Sequence, residues 1–345
     1  MKILKLLLVL IILISTASGV LIFQFQAPQK TKIKERYVIK LDFVEEQVID
    51  DLKEKGFIKN KAAFKLAFDF VCWQKKTCPQ VFVSPQQNAQ SRIEPGAYMI
   101  SKSMNAYKLA KTLISGPYQK WVVILPGKRK EQVALILLKI LNWQYGMGRG
   151  FTNIAEEGYL YPDTYLINVD ASPEQVWQKL FANFNEKFDA ELQKDLLAQN
   201  IRNDTAIKIA SLIERESGGD SDKPIIAGVI WNRLLKGMKL EVDATVQYAI
   251  ALETLNNVGL QGLNNFNFWP QLGPGMVRTI NSPYNTYLNK GLPPGPICSP
   301  SLASIRAVAH PAQTDALYYL HSPDKQIHTA KTFEEHQENI KKYLQ

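Results

Sequence analysis

The stretch IASLIERES, Ile209 to Ser217, closes an apolar helical pattern with two carboxylates, Glu214 and Glu216. At about 100° per residue, Ala206, Ile209, Leu212 and Ile213 form one stripe; Glu216 falls inside it, while Glu214 and Arg215 turn towards the polar side. Glu216 is therefore predicted to point inward. A carboxylate is rarely buried without a partner or a purpose. Burial disfavours its charged form, and so does the negative end of the helix dipole at the last turn before Gly218 and Gly219. Both effects raise the pKa, as a general acid working near neutrality requires. The plain alternative is a structural Glu paired with an Arg, and the pattern alone leaves both open. Glu214 is expected to be a flank residue that shapes the local field.

The next helical pattern, SDKPIIAGVIWNRLLKGM, supplies such an Arg. Ser221 or Asp220 is the expected cap, Pro224 lies in the first turn and Gly237 is the stop. Ile226, Val229 and Ile230 form its apolar stripe and Arg233 lies on it. Arg233 is thus a partner for Asp243 or Glu216, or a receiver for a substrate carboxylate. Asn232 sits at the stripe's edge beside Ile225, where a structural amide is the commoner reading.

Holding these side chains requires a sizeable fold. The 345 residues suffice for two cores, because a single core stops growing near about 250–300 residues. A composition of 46% hydrophobic and 21% charged residues excludes a disordered chain. The net charge of +9 is scattered, with no nucleic-acid motif around it; an acidic polymer or anionic lipid is a better partner than nucleic acid. After Lys2 and Lys5, the run from Leu6 to Phe23 has about the length that crosses a bilayer. The apolar run continues past the small residues of TASG, which favours an uncleaved anchor (residues 1–24) over a signal peptide. Lys30, Lys32, Lys34 and Arg36 follow in a basic linker (residues 25–36) and outnumber the lysines before the span, so charge alone does not orient it. Cys72 and Cys78 are close enough to pair in an oxidising compartment or to stand as free thiols, and Cys298 is left over; two cysteines are too thin a set for zinc.

Beyond the linker, strand, helix and glycine-stop signals recur in short α+β units suited to binding. From about Phe151 the texture changes to the aromatic and acidic EEGYLYPDTYLI, a capped helix SPEQVWQKLFANFNEKF, the two helices above, and an Asn-, Gly- and Pro-rich stretch from Asn256 to Pro300. A long irregular stretch inside a compact domain is usually functional, so a cleft is expected there.

The segments IASLIERES, GVIWNRLLKGMKLEVDATVQYAI, SPYNTYLNKGLPPGPICSPSLASIRAVAHPA and AKTFEEHQENI resemble, in order and spacing, the endolytic murein transglycosylases of the YceG-like family. EPGAYMI and EEGYLYPDTYLI look like that family's LysM-like region and the entry to its catalytic domain. The resemblance covers most of the chain from about residue 37. It implies an α+β fold, with a LysM-like module over residues 37–120 and a mixed α+β catalytic domain over 121–345. It further implies a single-pass protein of the bacterial inner membrane, catalytic domain outside, that cuts peptidoglycan strands between MurNAc and GlcNAc during wall synthesis. Peptidoglycan synthases are the implied partners, and neither cofactor nor metal is expected. Glu216 matches the second Glu of the family's paired motif, its catalytic residue. The implied reaction is non-hydrolytic: the carboxyl protonates the glycosidic oxygen, and its carboxylate then helps the MurNAc C6 hydroxyl attack the anomeric carbon, leaving a 1,6-anhydro end. Ordinary glycosidases need two carboxylates flanking the bond; a substrate with its own nucleophile needs one.

Asp243, Thr245 and Gln247 alternate like one face of a strand and, with Tyr248, are candidates to line the cleft and bond the sugar; Asp243 is equally a partner for Arg233. Tyr284, Asn285 and Thr286 in SPYNTY are read as loop residues presenting polar tips to substrate, because the family match falls there. Phe266, Phe268 and Trp269 in NNFNFWPQLGPG suit sugar stacking or core packing. The spacings of His310, His321, His328 and His336 match no metal motif; His310, inside the family-like AVAHPA, is a candidate to support the site. Two rivals remain: a non-catalytic peptidoglycan-binding scaffold, and a hydrolase with Glu157, Asp163 or Asp243 as second acid.

Overall fold

The computed structural model describes residues 2–75, 78, 81–84, 89–263, 266–273 and 275–344. The chain divides into two compact units, residues 1–121 with 165–169, and residues 122–164 with 170–345.

The first unit opens with helix α1 (Lys2–Phe25), whose window Leu7–Phe25 has a mean hydropathy of 2.4, no buried share and enough length to cross a bilayer. Strand β1 (Glu35–Ile39) is followed by α2 (Glu45–Glu54), α3 (Lys61–Lys75), a small hairpin β2 (Val81–Ser84) and β3 (Ala89–Ser91), then β4 (Gly96–Ile100), α4 (Ala106–Ile114) and β5 (Gln119–Val123). Later in the chain β6 (Thr164–Asn168) completes a sheet of order β1-β4-β5-β6, in which β1 runs antiparallel to β4 with Tyr37 opposite Tyr98. Ile39, Leu52, Phe64, Phe68, Ile100, Leu109 and Leu113 fill the core between sheet and helices. The entry of α4 is set by Asn105, whose side chain accepts the Lys108 N–H. Cys72 and Cys78 are disulfide-bonded.

The second unit is mainly helical: α5 (Lys130–Leu141), α6 (Tyr145–Ile154), α7 (Pro173–Lys187), α8 (Ala190–Ala198), α9 (Asn203–Glu216), α10 (Lys223–Leu235), α11 (Asp243–Val258), α12 (Met276–Thr279) and α13 (Leu302–Ala309), then the hairpin β7 (Tyr318–His321) and β8 (Ile327–Ala330), and α14 (Phe333–Tyr343). Helix α9 is its axis. Ala206, Ile207, Ile209, Ala210, Leu212 and Ile213 are all buried, packed with Ile226 and Ile230 of α10 and Ile305 and Val308 of α13. Gly228 lets α10 approach the chain closely, since a Cβ there would lie 2.7 Å from the Ala312 carbonyl oxygen. Capping boxes start α7 (Ser172 with Gln175) and α14 (Thr332 with Glu335).

Two local expectations are corrected. Asp243, Thr245 and Gln247 belong to the first turns of α11, not to a strand. Five alternating residues read the same in a strand and at a helix start, and Asp243 in the first turn suits the positive end of the helix dipole. The helical turn carries Thr245 into the interior, fully buried, with its hydroxyl donating to the Val242 carbonyl at 2.7 Å. The cap position of α10 falls on Asp222, not on Ser221 or Asp220, and Asp222 makes no side-chain capping bond. Its carboxylate turns back to accept the Gly218 N–H at 3.1 Å.

Candidate active site

Glu216 is the last residue of α9, where the chain leaves helical geometry at Ser217. Its wheel position carries it into a cleft of about 310 Å³ that also includes Arg233, Leu240, Glu241, Asp243, Tyr287, Tyr318, Tyr319, Phe333 and His336. The Tyr319 hydroxyl donates to the Glu216 carboxylate at 2.7 Å. Two residues further along the same strand, His321 bonds Asp222 at 3.1 Å. The period-two alternation of β7 thus lets one strand hold both the acid and the turn that follows it.

Burial pushes the Glu216 pKa up, and the nearby Asp243 charge adds to that. The Tyr319 hydrogen bond, His321 and Arg215 pull the other way, and the net shift is upward. Asp243 is itself held by the Tyr287 hydroxyl at 2.6 Å.

Glu214 departs from expectation. Its side chain is only 10% exposed. One carboxylate oxygen accepts the Ser301 N–H at 2.9 Å, the Ser301 and Ser304 hydroxyls at 2.6 Å each, and the buried Lys223 ammonium at 3.4 Å. It clamps the end of α9 onto the N-terminus of α13 rather than facing solvent. Arg215 lies 4.0 Å over the Trp269 ring and against Gly127, whose positive φ of 74° sets the turn there.

Arg233 lines the cleft but holds neither Asp243 nor Glu216. Its guanidinium donates to the carbonyls of Leu317 (2.6 Å), Leu240 (2.9 Å) and Lys239 (3.1 Å) and to the Glu241 carboxylate (3.1 Å). It also lies 4.9 Å over the Tyr318 ring. Arg233 is thereby a cross-brace between the end of α10 and β7. Asn232 is a structural amide, donating to the Thr314 and Ala316 carbonyls at 2.8 and 3.0 Å.

Several expected site residues lie elsewhere. Asn285 is fully buried and donates to the Val277 and Ile280 carbonyls, both at 2.8 Å. Thr286 is buried, accepts the Val242 N–H at 2.9 Å and contacts the Thr245 hydroxyl at 3.0 Å. Tyr284 packs on Tyr248 with ring centroids 4.7 Å apart. SPYNTY therefore braces the start of α11 instead of presenting polar tips, and its last residue, Tyr287, reaches the cleft. Gln247 donates to the Pro270 carbonyl at 2.9 Å, pinning the irregular stretch to α11. His310 is exposed and bonds Asp195 at 3.1 Å, outside the cleft. Phe268 is buried, Phe266 meets it edge-on, and Trp269 covers Arg215; Asn264, Asn265 and Pro274 of the same motif lie outside the described residues. Among the described residues, the cleft takes only Tyr287 from the stretch that was expected to form it.

Of the candidate second acids, Asp243 lines the cleft. Glu157 lies in another buried cluster with Glu131 and Arg129, where burial and the Glu131 charge push its pKa up to about 8. Asp163 accepts from the Asn183 side chain at 3.0 Å. The residues missed by sequence reasoning are Tyr287, Tyr318, Tyr319, Phe333, His336 and Glu241. AKTFEEHQENI held the signal for two of them: Phe333 and His336 are three apart on one capped helix, and His336 stacks on Tyr318 at 5.3 Å.

A sequence model described as the YceG-like family matches residues 39–342. The chain belongs to the YceG-like family. It is 35% identical over 192 residues to a Bacillus subtilis (strain 168) protein named endolytic murein transglycosylase, a match covering 54% of this chain and 48% of that one. A Streptococcus pneumoniae (D39) protein of the same name is 30% identical over 189 residues, covering 54% of this chain and 32% of that protein. This YceG-like chain thus spans about half the length of the first and a third of the second. A crystal structure of a yceG-like protein from Listeria monocytogenes shares the fold, with a TM-score of 0.55 and 24% identity over 89% of this chain and 99% of that one.

Proposed function

We propose that this chain is a membrane-anchored endolytic peptidoglycan transglycosylase with Glu216 as its acid and base. The observation that carries the reading is the Glu216 carboxyl at the end of α9, inside a cleft, with its pKa raised and the Tyr319 hydroxyl fixing its orientation. Protonated Glu216 gives its proton to the glycosidic oxygen as the C1–O4 bond breaks. The resulting carboxylate takes the proton of the MurNAc C6 hydroxyl as O6 bonds to C1, which yields a 1,6-anhydro end and returns the acid to its starting state. Water is not consumed. Tyr319 keeps one carboxylate oxygen occupied, so the other is free for the sugar. Asp243 raises the acid's pKa without taking part in bond making.

Around this centre the remaining assignments follow. Helix α1 is an uncleaved single-pass anchor in the inner membrane with the rest of the chain outside, and residues 37–120 form a LysM-like glycan-binding module. The two helices between antiparallel β1 and β4 support that assignment. The product, a terminated strand, makes peptidoglycan synthases the natural partners.

One observation favours a second reading. Asp243 shares the cleft with Glu216, and two carboxylates across a sugar bond can hydrolyse it. Purified glycan strands incubated with the protein and read by mass spectrometry separate the cases. New anhydro ends that vanish in Glu216→Gln support the proposal. Reducing ends support the hydrolase, and intact strands support a binding scaffold.

A further inference from the structure

Helix α3 is apolar on two sides. Phe64, Ala67, Phe68 and Val71 fill the first unit's core. On the opposite side Leu66, Phe70 and Trp73 recur at i, i+4 and i+7 and are 63%, 45% and 75% exposed. A polar strip with Lys65 and Asp69, paired to Glu46 and Arg92, separates the two sides, and a row of large exposed apolar side chains on a surface helix marks a contact face. Of the chain's six tryptophans, Trp73 is the exposed one.

The outer side of α3 continues into α1. Phe70 lies 6.0 Å from Trp73 and meets Tyr107 of α4 edge-on at 5.9 Å; Tyr107 is 41% exposed and stacks at 5.5 Å on Phe25, in the last turn of α1. Four rings thus form an unbroken apolar path from the end of the bilayer-length helix onto α3. The segment after α1 is tied to the same unit, with the Gln29 N–H donating to the Lys102 carbonyl at 3.0 Å and the Ser101 hydroxyl to the Thr31 carbonyl at 3.3 Å. The Lys59 ammonium sits 3.4 Å over the Phe23 ring, and Lys30, Lys32 and Lys34 are exposed along the connecting segment.

We infer that Leu66, Phe70, Trp73 and Tyr107 form a second membrane contact, resting in the interfacial layer of the bilayer that α1 spans, with Lys30, Lys32 and Lys34 against anionic headgroups. The inference rests on the anchor reading of α1. Three features select a bilayer as occupant. The patch is continuous with a helix that ends at the bilayer boundary. Its Trp and Tyr carry the amphipathic rings that favour the membrane–water interface. Its flank is basic, which attracts anionic lipid within a Debye length. The contact also gives a role to the lysines that follow the span and outnumber those before it.

The exposed tryptophan provides the test. The full-length chain is reconstituted into liposomes of phosphatidylglycerol and phosphatidylcholine, with acyl chains either plain or brominated near the headgroup, and tryptophan emission is recorded. Emission falls in the brominated lipid, and that fall is lost in Trp73→Phe, a conservative change at an exposed site. Equal emission in the two lipids overturns the inference, as does quenching that persists in Trp73→Phe. Crosslinking of two copies through this face without quenching assigns it to self-association and overturns it as well. Intact mass of the chain extracted from membranes keeps the two readings apart. A chain lacking α1 removes the anchor, whereas retained α1 with unquenched Trp73 removes only the second contact.

Discussion

Tyr319→Phe takes away one oxygen and leaves a ring of the same shape against the core. The lost group is the donor at 2.7 Å from the Glu216 carboxylate. A hydrogen bond to a charged group contributes about 1.5–3 kcal/mol, a factor of roughly ten to a hundred at about 1.36 kcal/mol per decade. The sign follows from the competing influences on Glu216. Burial and Asp243 push its pKa up, and the tyrosine pulls it down by stabilising the carboxylate. Without the tyrosine, the carboxyl keeps its proton to higher pH. The acid form required for the first step then persists further into alkali, so the alkaline limb of kcat/KM against pH moves upward. The carboxylate that must receive the C6 proton loses its orientation, so kcat on the plateau falls by about tenfold or more. Both are read by counting anhydro ends released from glycan strands across a pH series. A profile that overlays the wild type, or an alkaline limb displaced downward, would refute the role assigned to Tyr319.

Asp243→Asn tests the opposite sign. It removes a like charge that raises the Glu216 pKa while keeping an acceptor for Tyr287, so the alkaline limb moves to lower pH in the same assay. Glu216→Gln lowers the rate by about 10²–10⁴-fold, the usual contribution of general acid–base catalysis. The same variant should lose a pH dependence of stability. A carboxyl whose folded pKa is raised destabilises the fold as pH climbs from its unfolded value through its folded value, so wild-type melting temperature declines over that window and the Gln variant's does not. Glu214→Ala breaks a buried charged network. It is expected to cost about 3–5 kcal/mol, seen as a melting-temperature drop of roughly 2–4 °C per kcal/mol; an unchanged melting temperature would contradict the clamp.

The inward aim of Glu216 was legible because it depends on positions three and seven residues away, within one helix. The donor that holds it was not, because Tyr319 lies 103 residues further along and no local periodicity records that meeting. Glu214 shows how a helical wheel misleads. It was read as a flank residue on the helix's polar side that shapes the local field, but the Ser301 to Ser304 segment covers it and supplies three of its partners. SPYNTY was recognised as a motif and assigned the wrong duty, since Asn285 and Thr286 satisfy backbone groups at the start of α11 and near α12. Arg233 was rightly placed on the inward stripe, while its true partners, mostly carbonyl oxygens, leave no mark in a sequence.

The hairpin β7–β8 and α14 have a consequence for how heat inactivates the protein. They supply Tyr318, Tyr319, Phe333 and His336 to the cleft, yet α14 has no buried residue and the hairpin is an isolated two-stranded sheet. Segments with little buried surface open first, well before the α9–α10–α13 core. When they do, Glu216 meets water and reverts to an ordinary carboxylate on an intact helix. Thermal loss of activity should therefore precede the calorimetric transition and reverse on cooling, so that the strength of the acid is set by the least secure part of the domain.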